Sequence, residues 1–314
     1  MSKIKGLLRN RDFILFLALL LGLFFGKYAR WTESITLPAL GVVMTLSTMM
    51  ISGSIFRSPK SMILPSLIGI AMNYAVLSSV ILLLNQMIIH DEDIWRGFVI
   101  LASVPPAVAV IPFTGFLNGN VKFSLIASFG GYLGGLIITP LMTIGLLGTS
   151  FIDPIKVLTI MVELIILPLV LSRILIWIKA DVLINPIKGS ITNWGFFIVV
   201  YTVVGLNREV FLSNPLSLLP VAAIAIASTF LLGWIIEIVG YFFHIDPKTV
   251  SSLVLVGTLK NYGLAAGLSL SLFSRQTAVP ATVSTIFLIV YIIWLGYKNT
   301  YKKKKQNSLQ PRRI

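Results

Sequence analysis

The chain consists of ten long apolar runs separated by short stretches that carry charge, proline or glycine. We number the runs as segments 1 to 10, with approximate bounds 12–29, 35–54, 62–87, 95–117, 122–149, 155–178, 190–206, 216–243, 249–273 and 277–297. A helix needs roughly 20 mostly apolar residues to span a bilayer, and in lipid a helix satisfies its own backbone hydrogen bonds. The pattern therefore predicts an all-α integral membrane protein with ten transmembrane helices.

Composition and charge agree with this prediction. Of the 314 residues, 56% are apolar and only 11% are charged, against about 25% charged in soluble domains. The net charge of +14 lies largely in the chain ends and short loops, including the lysine run 302–305, which favours contact with anionic lipid headgroups over nucleic-acid binding. The chain has no cysteine, and its two histidines, His90 and His244, lie far apart. We therefore expect no cofactor and no metal site.

The loops also predict an orientation. An even number of spans places both termini on one side of the membrane. With the termini inside, most of the 25 Lys and Arg residues fall in inner loops and in a basic tail, 298–314, while the acidic stretch 90–93 falls outside. This distribution obeys the positive-inside rule. We expect one transmembrane domain over 1–314, cytoplasmic termini and, given the short loops, a prokaryotic plasma membrane.

The two halves of the chain have matching interruptions. Five spans in each half, about 12–149 and 155–297, make the second half inverted relative to the first, which is a common plan in secondary transporters. Segments 4 and 9 hold equivalent places, and both contain helix-breaking residues: Pro105, Pro106 and Pro112 in segment 4, Gly257 and Gly263 in segment 9. Interrupted helices in corresponding positions indicate a binding site. The alternative is a simple proline kink and a pair of packing glycines.

These segments resemble the bile acid:sodium symporter (BASS) family. Segment 4 of that family follows P-G-G-x-x-S-N-x-x-T-x-L-A-x-G-N-x-x-L-S, with T-P in segment 5. The residues that match in register are Pro105, Thr114, Gly119, Asn120, Ser124, Ser128, Thr139 and Pro140. In segment 9, Asn261, Leu264 and Ala265 match E-x-x-x-Q-N-x-x-L-A, and Asn73 falls where the family tends to carry Gln in segment 3.

The resemblance implies a fold and a class of substrate. Segments 1, 2, 6 and 7 would form a panel, and segments 3–5 and 8–10 a core in which the broken segments 4 and 9 cross. A substrate, usually an organic anion, would bind between panel and core by an alternating-access mechanism, commonly with two sodium ions.

The chain departs from the family at the sodium positions. Val110 and Ile111 replace a Ser-Asn pair, while Val256 and Lys260 replace a Glu and a Gln. Sodium, a hard cation, prefers oxygen ligands, and an ammonium repels it. We therefore expect sodium-independent or proton-coupled transport. The alternatives are a sodium-dependent symporter with a reduced ion site and an auxin-efflux-type carrier.

Lys260 lies near the middle of segment 9, where a charge costs roughly 2.5 kcal/mol or more and is functional by default. We expect its ammonium to replace sodium and to hold an anionic substrate; an ammonium kept from water can also give up its proton. The alternative is a structural ion pair, with Glu237 of segment 8 or, second, Glu163 of segment 6. The other candidates for substrate or ion binding are Asn73, Thr114, Ser124, Ser128, Thr258 and Asn261.

Other functions fit the sequence less well. An intramembrane protease would need paired Asp, a Ser/His pair or a His-Glu metal set, and the segments contain none of these. A channel would need a continuous polar pore. An arsenite exporter of related fold relies on a cysteine that this chain lacks. We therefore expect a transporter and not an enzyme.

Overall fold

The computed structural model of the protein describes residues 10–49, 59–148, 154–213 and 215–309. These residues form helices and short connections. Six of the helices are long and apolar enough to cross a membrane: Lys60–Ile88, Val121–Leu147, Leu158–Trp177, Asp181–Leu206, Pro215–Phe242 and Gln276–Asn299. Shorter apolar helices lie at Phe13–Tyr28, Thr36–Thr48, Pro247–Val256 and Tyr262–Leu272.

In the first half of the chain, the described residues form six main helices. They are α1 (Arg11–Phe25), α2 (Thr36–Thr48), α3 (Pro59–Ile70, π-helical Ala71–Leu77 and Ser78–Ile88), α4 (Glu92–Ser103), α5 (Val110–Phe116) and α6 (Val121–Leu147). The short pieces Gly26–Tyr28 and Arg30–Glu33 connect α1 to α2.

In the second half of the chain, the described residues form six more main helices. They are α7 (Pro154–Met161, π-helical Val162–Ile166 and Leu167–Trp177), α8 (Asp181–Leu206), α9 (Leu219–Ile226, π-helical Ala227–Leu231 and Leu232–Phe242), α10 (Pro247–Val256), α11 (Tyr262–Leu272) and α12 (Val279–Leu309). Short helical pieces at Arg208–Ser213, Pro215–Leu218 and Gln276–Ala278 connect them.

Side-chain caps mark where five of these helices begin. A carboxylate or amide oxygen accepts a hydrogen bond from the backbone N–H three residues on, which satisfies one of the free donors at a helix start. The capping residues are Asn10, Asp91, Asn120, Asp246 and Asn261. Local sequence therefore sets these boundaries without help from distant residues.

The predicted segments fall on helices of the described residues, six of which reach spanning length, and two helices extend beyond the predicted bounds. Helix α8 begins at Asp181, whereas the apolar run of segment 7 begins at 190, because proline and charged residues interrupt the apolar pattern near the helix start. Helix α12 continues to Leu309, so residues 298–309 of the expected basic tail are helical. The end of segment 2, at 50–54, lies outside the described residues.

The helices pack in two groups. In the first, α8 packs along α1 and α2, and α2 also packs against α7. In the second, α3 and α4 pack against α6, while α12 packs against α4, α9 and α11. The groups meet where α2 and α8 contact α11. These are the helices that the resemblance assigns to panel and core; the inverted repeat stays a prediction.

Glycines allow α3 and α6 to pack closely. A Cβ atom at Gly69 would overlap the carbonyl of Ala127, and one at Gly130 would lie 2.5 Å from the Cβ of Ser66. Small residues let helix backbones approach in membranes. Gly69 and Gly130 therefore allow the close approach of α3 and α6.

Candidate functional site

The two interrupted segments meet at their breaks. Residues 104–109 separate α4 from α5, and residues 257–261 separate α10 from α11. The N–H of Ala107 donates to the carbonyl of Leu259 at 3.0 Å, and the N–H of Asn261 donates to the carbonyl of Pro105 at 2.9 Å. Each break thus supplies partners for backbone groups that the other helix leaves free, which membrane depth requires.

The predicted helix-breaking residues divide between the breaks and the helices beside them. Pro105 and Pro106 lie in the first break, and Gly257 follows the last residue of α10. Pro112 and Gly263 do not lie in the breaks, because they are the third residue of α5 and the second of α11. A proline in the first turn of a helix loses no hydrogen bond, since its N–H would have no intrahelical acceptor.

Lys260 lies in the second break with its side chain fully buried. Four oxygen atoms lie within hydrogen-bond distance of its ammonium: Oδ1 of Asn73 at 2.8 Å, Oγ of Ser78 at 2.9 Å, and the carbonyls of Ala102 at 2.7 Å and Val104 at 2.9 Å. The ammonium also lies 4.5 Å from the centre of the Tyr74 ring, a favourable cation–π distance. Helix α3 and the end of α4 together form this pocket.

The surroundings of Lys260 compensate its charge without a carboxylate. Carbonyls at the C-terminus of a helix lack intrahelical donors and carry partial negative charge, and Ala102 and Val104 place two of them beside the ammonium. No described Asp or Glu lies within 4.0 Å of Lys260. The chain thus stabilises a buried cation with neutral oxygen atoms.

The described contacts do not include the alternative interpretation of Lys260, an ion pair with Glu237 or Glu163. Glu237 instead pairs with Lys298, on α12, and both side chains are partly exposed. Glu163 lies exposed on the π-helical turn of α7.

The other predicted site residues lie apart from the ammonium. Oγ1 of Thr114 donates to Oγ of Ser124 at 2.7 Å, linking α5 to α6. Ser128 is fully buried, and its hydroxyl has no hydrogen-bond partner among the described residues. Oγ1 of Thr258 donates to the carbonyl of Val254 in its own segment at 2.6 Å. Asn261 caps α11.

Three of the four positions at which the resemblance expects sodium ligands are apolar. Val110, Ile111 and Val256 are all buried. Ile111 packs against Leu125, so it contributes to a hydrophobic contact between α5 and α6. Within the described residues no group of three or more His, Cys, Asp or Glu could hold a metal ion.

A cavity of about 190 Å³ lies between α8 and the two breaks. Ala107, Ala109 and Pro112 line it from the first broken segment, and Lys260, Asn261 and Gly263 from the second. The charged residues in its lining are Lys188 and Lys260, and none of the lining residues is acidic. Both charged residues of the lining are therefore cations, and cations attract anions.

Sequence reasoning missed several residues of this site. Ser78 and the carbonyls of Ala102 and Val104 carried no signal, because nothing in an α-helical pattern relates them to Asn73 or Lys260. Lys188 fell in a predicted inner loop, whereas it lies in α8 and lines the cavity. Its place in a helix could have been found by extending the start of segment 7 by two residues.

Comparison with known families identifies the chain over most of its length. The profile of the SBF-like CPA transporter family (DUF4137) matches residues 13–295. A search of the curated proteins finds no significant match. The resemblance drawn from segments 4, 5 and 9 is confirmed by the family match.

Proposed function

Since the chain belongs to the SBF-like CPA transporter family, and is therefore a multi-pass membrane protein that acts as a secondary transporter, we propose that it carries a small organic anion. Alternating access would occur across ten spans arranged as two inverted repeats, with α4–α5 and α10–α11 as the crossed, broken helices. Family membership agrees with the expectation that the chain is not an enzyme.

The cavity is the observation that carries this proposal. It touches both breaks and α8, where the two helix groups meet, and its lining contains two lysines and no acid. A movement of one group against the other would change access to this space. A transported cation would find no carboxylate there, whereas an anion would find favourable potential.

We propose that Lys260 is a built-in cation. Four oxygen atoms surround its ammonium at 2.7–2.9 Å, much as oxygen ligands surround a hard metal ion. The resemblance expects sodium ligands at four positions; three of them are the apolar Val110, Ile111 and Val256, and the fourth is Lys260 itself. Transport therefore needs no sodium. A lysine can bind and release a proton, so a proton gradient would be the energy source.

The same proposal covers orientation. Both termini would lie in the cytoplasm of a prokaryotic cell, following the positive-inside rule. The basic tail, helical to Leu309, would then lie near anionic headgroups, which attract lysine clusters.

The test is uptake into proteoliposomes. Labelled organic anions would be offered with an inward sodium gradient, with potassium in its place, and with a pH gradient. We expect uptake that is unchanged without sodium and lost in Lys260→Met. Lys122→Met, which changes an exposed lysine outside the cavity, should transport normally.

A sodium requirement would contradict the built-in cation. It would favour the reduced ion site, with the hydroxyls of Thr114, Ser124 and Ser128 as ligands; the unpartnered hydroxyl of Ser128 supports that second candidate. Uptake of organic cations but not anions would refute the proposed substrate class.

A further inference from the structure

Lys260 cannot bind the negative charge of a substrate in this structure. An ammonium has three hydrogens to donate, and four oxygen atoms already surround that of Lys260. The side chain is also fully buried. Its charge contributes to the potential of the cavity, but another group must contact the anion.

Lys188 is the other cation of the cavity lining. It is half-buried, so water solvates its ammonium only in part. No hydrogen bond or ion pair joins it to any described residue, in contrast to Lys260. A partly desolvated ammonium without a partner binds an anion favourably, because the anion replaces the lost hydration.

The cavity face of α8 changes character along its length. At the N-terminal end of the lining face the residues are polar, with Thr192 and Asn193 four and five residues after Lys188. Phe196, Val199 and Val203 follow at helical spacing on the same lining face. A ligand on this face therefore meets a cation and polar groups at one end and an apolar wall at the other.

The distance between the two ends sets the shape of the ligand. Val199 lies level with the second break, since a Cβ atom at Gly263 would lie 3.2 Å from Cγ1 of Val199. Lys188 precedes Val199 by eleven residues, which is about 16 Å along a helix at 1.5 Å per residue. A small anion such as acetate could not reach both the cation and the breaks.

We propose that Lys188 binds the anionic group of the substrate, and that the substrate is an elongated anion whose apolar body lies along α8 toward the breaks. This inference rests on the proposed function, and it assigns charge recognition to a residue other than Lys260. Asn193 and Thr192 are placed to contact the same anionic group.

The test compares two probes of nearly the same shape, the anionic 6-phenylhexanoate and the neutral 6-phenylhexanamide. Binding to the full-length protein in nanodiscs is measured by calorimetry, with empty nanodiscs as the blank. We expect the wild type to bind the carboxylate about tenfold more tightly than the amide, the usual value of one charge-assisted contact. Lys188→Gln should remove this preference by weakening the carboxylate alone.

Two further variants sharpen the comparison. Lys188→Arg keeps the charge and should keep the preference. Lys60→Gln makes the same change at an exposed lysine outside the cavity and should bind like wild type. Glutamine suits a helix, and equal amide binding in wild type and Lys188→Gln would show that the cavity is intact.

The outcomes separate this inference from the proposed function. If Lys188→Gln retains the tenfold preference, Lys188 is not the anchor, although anion uptake in proteoliposomes can still stand. If the wild type prefers acetate to 6-phenylhexanoate, the elongated substrate is wrong. If proteoliposomes take up no anion at all, the proposed function itself fails and the inference fails with it.

Discussion

At the scale of single residues, Lys260 shows how a membrane protein can keep a charge at its centre. Each polar group taken from water needs a replacement partner, and here the replacements come from one amide, one hydroxyl and two carbonyls. The Tyr74 ring adds a fifth favourable contact. The lysine in turn satisfies carbonyls that the end of α4 leaves free. The charge of Lys260 and the break after α4 therefore stabilise each other.

Ser78 provides a direct test of this network. Its hydroxyl accepts from Lys260 and donates to the carbonyl of Ala102 at 2.6 Å. Ser78→Ala should lower the free energy of unfolding by about 1.5–3 kcal/mol, the range for a hydrogen bond to a charged group. Apparent Tm in detergent measures the loss. The neighbouring Ser79→Ala, at an exposed position, should change stability by no more than about 0.5 kcal/mol; equal effects would contradict the network.

At the scale of elements, α6 supports the first break from behind. A Cβ atom at Gly131 would lie 2.5 Å from Cγ of Pro106, and one at Gly135 would lie 2.5 Å from the hydroxyl of Tyr74. Tyr74 also donates to the carbonyl of Gly131 at 3.2 Å. The glycine face of α6 thus sets how closely the break and the π-helical turn of α3 approach.

Gly131→Val should disrupt this contact. The added methyls have no space beside Pro106, and overpacking typically costs about 1–3 kcal/mol. We expect a lower apparent Tm and reduced transport, because the displaced residues lie one position from the hydrogen bonds that join the breaks. Gly145→Val on the same helix is the control, since nothing lies within 4 Å of its added Cβ. A Gly131 variant as stable and active as the Gly145 variant would exclude this role of α6.

At the scale of the whole molecule, the site exists only where two helix groups meet. The first group contributes α8 with Lys188, and the second contributes both breaks with Lys260. The proposed inverted arrangement requires an odd number of crossings between the loop before α4 and the start of α10. The chain has no native cysteine, so single cysteines can report this directly.

Membrane-impermeant thiol labelling of His90→Cys and Lys248→Cys tests the arrangement. Both positions are exposed, and five predicted spans separate them. We expect His90→Cys to react from outside intact cells and Lys248→Cys to react only after the membrane is opened. Labelling of both from the same side would refute the ten-span topology, whatever the substrate proves to be.

The helices and the approximate positions of the two breaks could be predicted from the amino-acid sequence. Apolar runs in lipid have to be helical, because no water is present to bond an open backbone, and local caps such as Asn120 and Asn261 mark helix starts. Adjacent prolines remove two hydrogen-bond donors from any helix that contains them. The break at Pro105 and Pro106 could therefore be predicted from these two residues alone. Lys260 could likewise be recognised, since a lysine in mid-span is costly wherever it points.

The tertiary structure decided what these residues contact. Asn73 and Ser78 are five residues apart, and at 100° per residue an α-helix would turn them about 140° away from each other. The π-helical turn Ala71–Leu77 widens the helix and brings both to Lys260. The order of segments along the chain suggested Glu237 as an alternative partner for Lys260. The packing of α12 against α9 instead pairs Glu237 with Lys298. Partners from distant segments depend on how helices pack, and a pattern along one chain contains no such distances.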